Sequence, residues 1–193
     1  MIKKSDLTLV RNTAPILHTP PDLFNFDGDI DAEMFGNVLI DRMLELGGVG
    51  LSANQVGVNA RVFAMGTKDF QTVLFNPQIL AVSSKNISLD EGCLSFPGVF
   101  VKVNRPESVM VKFQNIKGEW VEDEFHGLTA RIFLHEYDHM EGNTFKDKVS
   151  KMKWDLAYNR MVKRVKKVIR TNIQRELLNI KNGIEEETDV HNT

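Results

Sequence analysis

Apolar residues along this chain recur at two periods, and the changes of period mark its elements. Behind Asp31, a residue suited to cap a helix, Phe35, Val38, Leu39 and Leu46 follow helical spacing, and Gly47-Gly48 closes the run. A Gly-rich loop is expected over 47–57. Strand-like runs follow at 61–66, 71–76, 99–104 and 108–114. Asn115-Ile116-Lys117-Gly118 is a turn signal, which makes 119–125 the return strand of a hairpin. A second helix is expected from 128 to about 141, ended by Gly142-Asn143, and a third from about 151 to 181. The segment 5–30, with Pro15, Pro20, Pro21 and Gly28, reads as irregular chain wrapped over the body. Helix, several short strands, then helices, with no regular strand–helix alternation, implies an α+β fold with an antiparallel sheet.

Composition and charge sharpen this picture. At 193 residues, 42% hydrophobic and 26% charged, the chain has the make-up of one globular domain with at most an appendage, not of a disordered or fibrous protein. No apolar run approaches the ~18 residues that span a bilayer, so no membrane partner is expected. Lys3 and Lys4 are not followed by an apolar stretch, which argues against a secretory signal. With Cys93 as the single cysteine, a reducing, cytoplasmic setting is expected. The net charge of -2 hides a division: residues 151–182 carry +8, the last eleven carry -4, and 1–150 carry -6. The chain thus divides into a body over 1–150, a basic helix over 151–182 packed on or extending from it, and an acidic tail over 183–193 expected to be disordered. Along the basic helix Trp154, Tyr158, Met161, Val162, Val165, Val168, Ile169, Ile173, Leu177 and Ile180 form an apolar stripe expected to be buried. Its basic face either is simply solvated or meets an anionic partner such as RNA, through phosphates rather than bases; DNA is not expected.

The chemistry concentrates in three places. His135-Glu136-Tyr137-Asp138-His139 is the pattern H-E-x-x-H on the expected second helix. An i, i+4 spacing sets both imidazoles on one face, where they can grip one metal ion, and places Glu136 beside the ion's open position to take a proton from water. With five histidines in the chain, chance produces the pattern with a probability of roughly 0.01. The longer metalloprotease pattern is matched through Gly142, but the position of its last histidine holds Phe145, which cannot bind metal.

Cys93 is the remaining strong donor. Glu91-Gly92-Cys93-Leu94-Ser95-Phe96-Pro97-Gly98 sets it between glycines, which suit sharp turns and close backbone approach. A thiolate with two imidazoles leaves a fourth position for water, the composition of a catalytic rather than a structural site. The third place is Gly48-Val49-Gly50-Leu51-Ser52-Ala53-Asn54-Gln55. It lacks the signatures of phosphate and dinucleotide loops, and its backbone and the Gln55 amide could run beside a peptide and donate to an oxyanion.

In this order and at these separations, the three segments closely resemble the three motifs of peptide deformylases, over about residues 5–150. The resemblance implies antiparallel β-sheets packed around a central helix that carries the H-E-x-x-H pattern, with a C-terminal amphipathic helix. It implies a metal held by Cys93, His135 and His139, natively Fe(II), with Zn, Ni or Co as substitutes. The substrate would be the formyl-methionyl end of nascent peptides, and the product formate. Glu136 would serve as general base and then acid, with the Gln55 amide and the Leu94 N–H on the oxyanion. Gly48, Val49, Gly50, Leu128 and Ile132 align with substrate-binding positions. Glu91, Asp138 and Arg105 are candidates to support the ligands, with Glu91 pairing Arg105.

The sequence departs from the family pattern at Ser52, where many members have alanine, at Phe100, arginine in some, and at Arg131, where others carry an apolar pocket residue. The resemblance also implies ribosome contact through the basic helix. Two other readings compete: a metallopeptidase with a distant third ligand, which would cleave unformylated peptides, and a non-enzymatic ribosome- or RNA-binding module.

Overall fold

A computed structural model describes residues 6–67 and 70–190, apart from the side chains of 181–190. Lys3, Lys4 and the last three residues lie outside the described ones. The chain divides into two units, Met1–Ser150 and Lys151–Thr193.

In the first unit, α1 (Ala32–Glu45) starts where Asp31 accepts a hydrogen bond from the Met34 amide at 2.7 Å. Seven strands follow: β1 (Gly50–Ser52), β2 (Val62–Gly66), β3 (Gln71–Val82), β4 (Asn86–Cys93), β5 (Phe96–Pro106), β6 (Ser108–Gln114) and β7 (Trp120–His126). Helix α2 (Gly127–Met140) comes next. Strands β1, β2, β3, β6 and β7 form one antiparallel sheet in that order, and β4 pairs with β5 in a two-stranded ribbon. The architecture is α+β, as the element order predicts.

Alternation along β2 divides the core. Val62 and Ala64 join Phe35, Leu39 and Met43 of α1 in one cluster, whereas Phe63 and Met65 join Phe133, Ala130 and Met140 of α2 in the other. Strand β2 is therefore buried along its whole length, and its sequence VFAMG is uniformly apolar. Helix α2 also reaches β5 of the ribbon, so it lies where the two sheets meet.

Strand β4 and the elements inside the Gly-rich stretch are not among those expected. Strand β4 escapes the sequence reading because NISLDEGC is mostly exposed and one partner is all it has, so neither alternation nor an apolar run marks it. The stretch read as a Gly-rich loop holds β1 and a short 3-10 helix, Ala53–Val56, packed so tightly that all seven residues are buried.

In the second unit, α3 runs from Lys151 to Val190, past the boundary at 182, so the acidic stretch expected as a disordered tail continues the helix. The three consecutive glutamates are good helix formers and one glycine costs only about 1 kcal/mol. Val165, Val168, Ile169, Ile173 and Leu177, whose pattern predicts burial, are exposed. Among the described residues, no helix is long and apolar enough to cross a membrane.

Candidate metal centre

Helix α2 is largely buried, so each polar side chain on it needs a partner. His135 and His139, one turn apart, have ring centroids 5.6 Å from each other. Cys93, at the end of β4, approaches them from the ribbon: its Sγ lies 3.4 Å from His139 Nε2. One donor atom from each of the three residues falls within a span of 4.8 Å. A sulfur and two imidazole nitrogens so gathered are a donor set suited to one divalent transition-metal ion. Phe145, standing where a third histidine would be, is buried with its ring 5.7 Å from that of His135 and walls the site instead.

Glu91 organises the charges behind the histidines. Its carboxylate accepts from Arg105 at 2.6 and 2.8 Å, from Arg131 at 2.7 Å, and faces His135 Nδ1 at 3.0 Å. Burial disfavours its charge, but the bonds from His135 and Arg105 hold its pKa down at about 2. Asp138 bonds Arg105 at 2.9 Å and Lys148 at 2.8 Å, and is linked to His135 through Arg105 and Glu91. Burial likewise opposes protonation of His135, yet Cys93, Glu91 and Glu136 push it up to about 10. His139 moves the other way, well below its ordinary value, because it is buried and faces the charges of His135 and Arg105.

Glu136 follows His135 and is buried. Burial raises its pKa, against the opposing pull of His135 and a hydrogen bond from Ser52 Oγ at 2.6 Å. Gly50 permits the close approach of this carboxyl: a Cβ there would sit 2.2 Å from Glu136 Oε1. Gln55 is oriented by its carbonyl, which accepts from the Ser52 amide at 2.9 Å, so its NH2 turns to Cys93 Sγ at 3.3 Å and Ser95 Oγ at 3.0 Å. Asn54 donates to the His139 carbonyl at 2.8 Å.

These groups border a cavity of about 410 Å³. Gly48, Val49, Gly50, Leu94, Leu128 and Ile132 all line it, together with Gln55, Cys93, His135 and Glu136. Phe100 stands at its edge, exposed, against Gly92. Arg131 also borders the cavity, but its guanidinium is committed to Glu91 and to the carbonyls of Val103 and Ile87. Among the contacts that the sequence does not announce are Ser52 on Glu136, Asn54 on His139 and Arg131 on Glu91. The last had a signal, since positions 131, 135 and 138 share one helical face. The first two join residues far apart in sequence and had none.

Comparison with known proteins gives a consistent result. A sequence model of the family described as polypeptide deformylase matches residues 7–155. A peptide deformylase of Thermotoga maritima is 42% identical over 115 residues, which cover 60% of this chain and 70% of the relative. Peptide deformylase 1B, chloroplastic/mitochondrial, of Arabidopsis thaliana is 37% identical over 155 residues, covering 76% of this chain and 55% of that one. Among solved structures, a Synechococcus elongatus peptide deformylase in complex with actinonin superposes with a TM-score of 0.74 at 30% identity, over 80% of this chain and 85% of that one.

Proposed function

The chain belongs to the polypeptide deformylase family, and from that premise we propose the roles of its individual residues. The activity is that of the family: metal-dependent removal of the N-formyl group from nascent peptides, which sets aside the metallopeptidase and the non-enzymatic reading. Cys93, His135 and His139 hold the metal, Fe(II) natively, with Zn, Ni or Co able to replace it. Bound there, the metal supplies Lewis acidity that activates water and polarises the formyl oxygen.

The protein's own groups do the rest. Glu136 accepts the proton of the attacking water and delivers it to the leaving nitrogen, and its burial raises the pKa toward the range that suits both tasks. The Gln55 amide and the Leu94 N–H donate to the oxyanion that develops on the formyl oxygen. Gly48, Val49 and Gly50 run beside the peptide backbone, and Leu128 and Ile132 wall the pocket for the methionine side chain. Glu91, fixed by Arg105 and Arg131, sets the tautomer of His135 by holding its Nδ1. The protein works in the cytoplasm, and the basic face of α3 meets phosphates of the ribosome.

The observation that supports this reading is the meeting of a thiol and two imidazoles beside an open cavity that Cys93, His135 and the buried carboxyl of Glu136 line. The test is formate release from a formyl-Met-Ala-Ser peptide by protein loaded anaerobically with Fe(II), beside Glu136→Ala of equal metal content. Release by the wild type alone is expected. No release from folded, metal-loaded wild type would overturn the assignment.

A further inference from the structure

Ser52 occupies a position where it touches both of the groups that handle charge in the reaction. Its side chain is fully buried, so its hydroxyl has no water to turn to. The Oγ donates to Glu136 Oε2 at 2.6 Å, short enough for a charge-assisted bond, with the Glu136 carbonyl farther away at 3.4 Å. Its backbone amide donates to Gln55 Oε1 at 2.9 Å, which turns the Gln55 NH2 toward Cys93 and Ser95.

We infer that Ser52 is a positioning residue for the reaction, holding the carboxyl of Glu136 in place through its hydroxyl while its amide holds Gln55. The inference rests on the role proposed for Glu136. An alanine at this position keeps the amide bond to the Gln55 side chain and loses the hydroxyl, with its bond to Glu136 and its cap on the Gln55 backbone amide.

Geometry gives the hydroxyl arm its purpose. The glycine at 50 leaves the Glu136 carboxyl without a side chain to lean on from β1, and Ser52 is the next residue of that strand on the same face. A carboxyl held at one oxygen keeps the other free for the proton it must carry. With the hydroxyl removed, Glu136 samples rotamers that do not face the water, and fewer encounters are productive.

Ser52→Ala is therefore expected to lower kcat for the formylated peptide by about tenfold with KM unchanged. Metal content, measured on the same samples, should stay near wild type and thermal melting should fall by only about a few degrees, as for the loss of one buried hydrogen bond, and Ser52→Thr, which retains a hydroxyl, should recover part of both losses. The decisive readout is a double-mutant cycle with Glu136→Gln, run on residual rates. If the hydroxyl acts through the carboxyl, Ser52→Ala costs nothing further in that background. An unchanged kcat in Ser52→Ala, or the same fold-loss with and without Glu136, would overturn the inference. Absence of formate release from the wild type would instead strike the underlying assignment, so the two failures are told apart.

Discussion

Gly50→Ala probes how finely the base must be placed. A Cβ at position 50 would lie 2.2 Å from Oε1, 2.7 Å from Cδ and 2.9 Å from Cγ of Glu136. Unstrained carbon contacts need about 3.5 Å, so the carboxyl must retreat by about 1 Å. It retreats against Ser52, which holds its other oxygen at 2.6 Å, and within a buried site that offers no water in exchange. A displacement of that size costs on the order of 100-fold in rate, or about 2.7 kcal/mol of transition-state stabilisation. The backbone itself accepts alanine, because Gly50 has no positive φ and pairs regularly with Met65. Stability should therefore fall by only about 1–3 kcal/mol, the cost of a strained buried hydrogen bond. Formate release under saturating peptide, beside metal analysis and a thermal melt, measures each quantity separately. A folded, metal-loaded variant whose kcat stays within about twofold of wild type would refute the claim that the Glu136 position limits the reaction.

Two further substitutions test the frame around the site. Arg105→Met leaves Glu91 and Asp138 without their shared guanidinium in a buried site, and should lower unfolding stability by about 3–5 kcal/mol in urea melts. Asn76 has a φ of 50° and clasps the N-terminal segment through the Phe24 amide at 2.7 Å and carbonyl at 3.0 Å; Asn76→Ala should cost about 2–4 kcal/mol, and Asn76→Gly should recover only the backbone part.

Much of this molecule could be read from sequence because its helices and central strands obey simple periods. The capped start of α1, the hairpin of β6 and β7, and α2 with its two histidines all follow from spacing and turn residues. Cys93 was legible as a donor, but the strand that carries it was not. Strand β4 has too little buried apolar surface to announce itself: it pairs with β5, whose Val99, Val101 and Val103 are buried, and carries polar links such as Arg105 to Glu91. The apolar stripe of α3 misled for a related reason: periodicity shows which face is apolar and not what covers it. Arg131 reads as an intrusion into an apolar pocket until its hydrogen bonds are seen. Both ends of its guanidinium are consumed by Glu91 and by two carbonyls of the ribbon.

The placement of α2 explains why so many unrelated segments must meet at the site. A helix buried on most sides has no solvent face for its polar residues, and desolvating His135, Glu136, Asp138 and His139 together would be prohibitive without partners. Each partner comes from a different place: Glu91 from β4 for His135, Ser52 from β1 for Glu136, Arg105 from β5 for Asp138, and Asn54 from the short 3-10 helix for the carbonyl of His139. The backbone must then come close at the points of contact, as at Gly50, where a Cβ would sit 2.2 Å from Glu136 Oε1. Glycines and buried polar residues are thus two sides of one requirement. Side chains can replace water around a reactive helix only if the chain that supplies them can approach within contact distance.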